Sequence, residues 1–266
     1  MKKILLVLVI NLFFIDLYYG QTMIIAKENT IITLPNGLKT TVRSGTPILL
    51  SRTKKALSFF PVDSIRLSNA KKQIFTVQPG TLVNLYKDGY IQDFIPLHDV
   101  KVSFKDKQYI AKARNRIYFY ENGDVQEFVP KKNIQLSTVR GKTYLAKANR
   151  IVFLHPNGSI GKFTTVNEIV VENARSQKLT ALPNTTVEFF DNGFVKSVFI
   201  KDSVIVVNGR GQKIIAAPKY VVKFYKNGFV ETLTPAQNIT VYNSVNKAYK
   251  AYKGQIISFD KYGNIK

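Results

Sequence analysis

Lysine and arginine return to the same place in this sequence about every 35 residues. They stand at Lys39; Lys71 and Lys72; Lys105 and Lys107; Arg140 and Lys142; Arg175 and Lys178; Arg210 and Lys213; and Lys247. Cations set at such intervals can make charge-assisted contacts to phosphate, sulfate or carboxylate groups. The candidate binding set is therefore Lys72, Lys107, Arg140, Lys142, Arg175, Lys178, Arg210, Lys213 and Lys247. A turn cation also serves simply as a solvated charge that blocks sheet-to-sheet aggregation. Recurrence in every unit, in a chain of formal net charge +22, argues for something further.

Residues for covalent, acid–base or metal chemistry do not gather in the same way. The two histidines, His98 and His155, occupy non-equivalent positions without metal-ligand spacing, and there is no cysteine. His155 reads as a turn residue in the lengthened hairpin LHPNGS. NGRGQ at 208–212 is followed by more strand rather than by a helix, so it is no phosphate loop, and no G-x-S-x-G elbow is present. Paired carboxylates of the glycosidase type would meet only in space. The acidic and amide residues Glu28, Asp63, Asp99, Asn133, Glu168, Asp202 and Asn238 recur before strands, where such side chains close turns. Asn184 and Asn238 fit the glycosylation triplet. No enzyme activity, cofactor or metal is expected. Tyr86, Tyr120, Phe190 and Tyr225 also follow the period, placed to cover a sheet or to stack on sugars or bases.

The element that must carry these residues is a β-repeat. Gly89, Gly123, Gly158, Gly193, Gly228 and Gly263 are spaced by 34 and then four times by 35, mostly in Asp-Gly or Asn-Gly turns after aromatic-rich runs. That is a hairpin signature. Further columns keep the period: Ile91 to Ile265 two residues after the glycine, Phe94 to Leu233 five after it, and Val77, Ala111, Ala146, Ala181, Ala216 and Ala251 as a small apolar position. Pairs two apart, from Ile65/Leu67 to Ile239/Val241, point to one face of a strand. VRSGTPILL from Val42 matches VQPGTLVNL from Val77, with Lys54 at the glycine position, which makes seven units. Each unit reads as four short strands, in the third unit roughly 100–104, 108–113, 116–121 and 124–129.

The chain ends suggest how the units are arranged. Lys2 and Lys3 followed by the apolar run Ile4 to Ile15 read as an export signal over residues 1 to 20, too short for a bilayer span. Its removal subtracts two lysines and one aspartate and leaves +21. QTMIIA, from Gln21, falls in fourth-strand register, and the last unit stops three residues after its glycine. Residues 21 to 266 number 246, against the 245 that seven repeats of 35 need. The expectation is one all-β domain over 21–266: seven four-stranded antiparallel repeats in a seven-bladed β-propeller closed by the N-terminal strand. The alternative is an open β-repeat solenoid or sheet. In function the sequence points to an exported binding protein, periplasmic, cell-surface or secreted. Its repeated basic turns would engage an anionic polysaccharide, lipopolysaccharide or an acidic protein, nucleic acid being possible but not favoured. A scaffold role in a bacterial envelope is the alternative, ahead of an enzyme acting on a polymer.

Overall fold

The computed structural model describes residues 21–266, so the expected leader lies outside the described residues. Among the described residues the chain forms 28 strands and no helix. The seven repeats, A to G here, have their strands where the apolar alternation puts them. Repeat C, for example, has Val100–Phe104, Lys107–Ala111, Ile117–Phe119 and Val125–Phe128. The chain divides into two compact units, the first ending at Phe128 with repeats A to C and the second, Val129–Lys266, with repeats D to G.

In each unit the four strands of a repeat separate into two layers. The third and fourth strands join a main antiparallel sheet, seven strands of it in each unit, while the first and second form a two-stranded hairpin of their own. Within a unit, a third strand pairs with the fourth strand of its own repeat and with that of the repeat before. Val83–Leu85 of repeat B, for instance, lies between Ala56–Phe59 and Ile91–Phe94. Both edges of the third strand are thus occupied, and the second strand finds none to join. The link between them is a tight turn with a left-handed residue, whose N–H donates to a carbonyl just past the preceding repeat's fourth strand: Gly80 to Pro61 (2.7 Å), Arg114 to Pro96 (3.0 Å), Lys219 to Ile200 (2.8 Å). This corrects the four-stranded meander. The four strands of a repeat do not lie side by side in one sheet.

The first strand, Thr22–Ile25, keeps the register read from the sequence. Ile24 pairs with Ile48 as Phe59, one repeat later, pairs with Val83, so the segment stands where the fourth strand of a preceding repeat would be.

The core lies between the two layers. Within a unit, a hairpin sits over the seam between its own repeat and the next. Phe75 of repeat B packs against Phe94 of its own fourth strand and Phe119 of the following third strand, with ring centroids 5.3 Å away in each case. Tyr144 of repeat D does the same with Phe163 and Phe189, at 5.9 and 5.6 Å. Within a unit the period-35 apolar columns are therefore the contact set between neighbouring repeats. Ala146, Ala181 and Ala216 are fully buried where the end of the hairpin bridges to Thr165, Ile200 and Pro235, which explains the small-residue column.

Candidate functional site

The tips of the 1–2 hairpins pack against the 3–4 glycine turns of the next repeat, so the two kinds of turn share a rim. A five-residue tip, as in 69–73, 138–142, 173–177 and 208–212, closes with its fourth residue left-handed: Lys72, Gly141, Ser176 and Gly211. The glycine turns use one left-handed residue as well, rather than the two of a type I′ hairpin.

Asparagine opens most of these tips and holds them. The Oδ1 of Asn173 accepts the N–H of Arg175 (3.0 Å) and of Gln177 (3.1 Å), and its Nδ2 donates to the Gly228 carbonyl (3.3 Å) of the next repeat. Asn69 reaches Gly123 in the same way (2.9 Å), and Asn208 reaches Gly263 (3.4 Å). The fifth residue binds the neighbouring hairpin: Gln212 Nε2 donates to the Thr240 carbonyl (2.7 Å), and Gln177 to that of Ile205. The sequence reading missed this Asn-x-x-x-Gln clasp, although 69/73, 173/177 and 208/212 repeat it in plain view.

The candidate cations fall into two groups. The third tip residue is turned across the seam. Arg140 lies 4.1 Å above the Phe194 ring and Arg175 4.4 Å above that of Phe229. Arg210 donates to Asn264 Oδ1 (2.8 Å), Asn246 Oδ1 (2.7 Å) and the Asn243 carbonyl (2.8 Å). Lys71 completes the column by pairing with buried Asp124 at 2.5 Å, an aspartate that also accepts the Lys105 N–H (2.7 Å). These arginines join repeats and are not a free rim. Lys142 donates to Glu172 (3.0 Å), which together with Arg140 holds that carboxyl below the usual carboxylate range. Lys247 stands 5.6 Å from the Tyr249 ring centroid. Lys72, Lys107, Lys178 and Lys213 are exposed, with no hydrogen-bond or ion-pair partner for their ammonium groups among the described residues.

Two of the recurrent tyrosines also act between repeats. Tyr86 and Tyr225 donate their hydroxyls to the Phe119 and Phe259 carbonyls, both at 2.6 Å. Burial, helped by Glu121 and Asp93, pushes the Tyr86 phenol up, keeping it a donor. His155 takes the tyrosine's place in repeat D. Its Nε2 lies 3.0 Å from the Phe189 carbonyl and must carry the proton, since a carbonyl only accepts. Asp99, Asn133 and Asn238 close turns by accepting the N–H of Ala113, Ala148 and Lys253.

Charge is unevenly divided. From residue 21 on, the first unit has 16 basic and 9 acidic residues (+7) and the second 21 and 7 (+14). In the second unit the acids are largely answered where they stand: Glu188 by Lys162 (3.6 Å) and Lys196 (3.9 Å), Asp191 by Lys226 (2.6 Å), Glu168 by Lys201 (2.9 Å). In the first unit a groove of about 550 Å³ runs between Gln21, Leu49, Leu57, Asn84 and Tyr86. Among the described residues no three or more His, Asp and Glu side chains converge as a metal site. The chain matches no protein-family model, and no curated protein is similar enough to count as a relative.

Proposed function

We propose that this chain is an exported, non-enzymatic binding protein that engages an anionic partner, a glycan, lipopolysaccharide or acidic protein surface, through the lysines of its repeated basic turns. The observation that carries this reading is Lys178 and Lys213. They stand one period apart, exposed and unpaired among the described residues, on a unit of charge +14 whose carboxylates are mostly bound already. Unpaired cations repeated on a rigid frame add by avidity without a deep pocket. The export signal read at residues 1 to 20 supports placement outside the cytoplasm. As architecture we propose the open β-repeat in preference to the seven-bladed propeller, because fourth strands pair onward with the next repeat.

Two charge-matched variants test the function. One changes Lys72, Lys107, Lys178 and Lys213 to Gln; the other changes Lys27, Lys101, Lys132 and Lys253, also exposed and also two per unit. On a sulfated polysaccharide the first should lose about tenfold or more in affinity and flatten the salt dependence by roughly three charges, while the second changes little. Equal losses would reduce the attraction to bulk charge, and no binding by the parent would favour the scaffold role.

A further inference from the structure

The 1–2 hairpins present a second surface, the one turned away from the core. In the second unit they lie side by side, joined by the Gln177 and Gln212 bonds described above and by the Tyr144 hydroxyl on the Val170 carbonyl (3.2 Å). Val171, Val206 and Val241 are buried, so the alternate residues of the same strands point outward. What points outward is apolar for a surface. Val170 is 51% exposed, Ile205 55% and Tyr242 41%, and Ile215, directly opposite Ile205 on the neighbouring strand, adds a half-buried flank. On the same face, two residues further along or directly across, stand Lys178, Lys213 and Lys250. The carboxylate among them, Glu172, is taken by Lys142.

We propose that this face docks on an anionic lipid surface. The proposal rests on the reading above in that Lys178 and Lys213 serve both, and it adds the partner's class. Isolated exposed aliphatic side chains are ordinary, but here they recur on adjacent hairpins and alternate with unpaired lysines. A protein partner would gain most from a pocket for one anchoring side chain. Side chains standing singly between cations suit a plane of headgroups. Val170, Ile205 and the Tyr242 ring enter between the headgroups, and the lysine stems lie along them with their ammonium groups at phosphate level. Each lysine near such a surface favours binding by about fivefold. The unit's +14 supplies the approach.

The chain contains no tryptophan, so Tyr242→Trp gives a single reporter. With the full chain and vesicles of phosphatidylcholine carrying phosphatidylglycerol, its emission should shift to the blue; with phosphatidylcholine alone it should not. Val170→Ser combined with Ile205→Ser, both at exposed positions, should weaken vesicle binding by about tenfold and leave binding to dextran sulfate unchanged. Lys178→Gln, Lys213→Gln and Lys250→Gln together should weaken both. The lipid proposal is overturned if the reporter stays water-exposed on bound vesicles, or if the double serine variant binds vesicles like the parent. It is overturned too if the parent sediments as an oligomer that the serine variant dissolves, since the face would then belong to a second copy. Parent binding to dextran sulfate without vesicle binding would remove the lipid and keep the anion-binding function, whereas binding to neither would remove both.

Discussion

Arg175 holds its guanidinium carbon 4.4 Å from the ring centroid of Phe229, a residue of the next repeat. The same two positions hold Arg140 with Phe194, Lys71 with Asp124 and Arg210 with Asn264. The partner changes from ring to carboxylate to amide while the cation stays. What is kept between repeats is thus a cation with a group able to receive it, and the planar guanidinium is used where that group is a ring face.

A double-mutant cycle measures this contact. Arg175→Met and Phe229→Leu should together destabilise less than the sum of the two single changes, with a coupling of about 0.5–1 kcal/mol in urea unfolding. Strict additivity would mean that the ring and the cation are neighbours without interaction.

The left-handed glycines differ in what lies beneath them. Gly228 (φ +84°) would place a Cβ 2.8 Å from the Arg175 nitrogen, whereas Gly211 (φ +80°) has nothing within 4 Å. Gly211→Ala should cost about 1 kcal/mol, the strain of a left-handed residue alone. Gly228→Ala should cost at least about 2 kcal/mol more, because backbone must move. Lys219, at φ 65°, offers the converse, and Lys219→Gly should be neutral or stabilising by up to about 1 kcal/mol. Equal losses at the two glycines in thermal unfolding would refute the close approach.

Much of this was legible in the sequence, and the limits have physical reasons. Period, strand positions, the small-residue column and the register of Gln21 to Ala26 all follow from side-chain alternation, which reports the face a residue takes. Alternation does not report which strand lies alongside: a hairpin that leaves the sheet has the same pattern as one that stays in it. Hence the layering was missed. In the basic turns, Arg175 and Lys178 look alike as turn cations, yet one is stacked on Phe229 and the other stands free. Arginine in the third tip position of repeats D, E and F, with lysine further along, was the available hint.

The Glu172 clasp should respond to acid. Its hydrogen bond from Lys142 and the nearby Arg140 charge lower its folded-state pKa. The stabilisation is then fully present above the unfolded carboxylate pKa of about 4.3 and disappears as pH falls through the lower folded value. Glu172→Gln should cost about 0.3–1 kcal/mol at neutral pH, with Lys142 43% exposed, and almost nothing near pH 2. Urea unfolding at the two pH values checks this; a difference between parent and variant that does not shrink in acid would exclude the pair as its source.

Repeat C departs from its fellows at one point. Phe104 and Lys107 pair directly across a two-residue tip, Lys105 and Asp106, and this shortening accounts for the spacing of 34 between Gly89 and Gly123. The tip has no room for the asparagine, the third-position cation or the glutamine with which the hairpins of repeats B, E and F grip their neighbours. The shortened tip is held rather than holding: the Lys105 N–H and the Lys71 ammonium of repeat B meet on the same oxygen of buried Asp124. One carboxylate thus anchors a loop and a seam at once, and its loss should loosen both together.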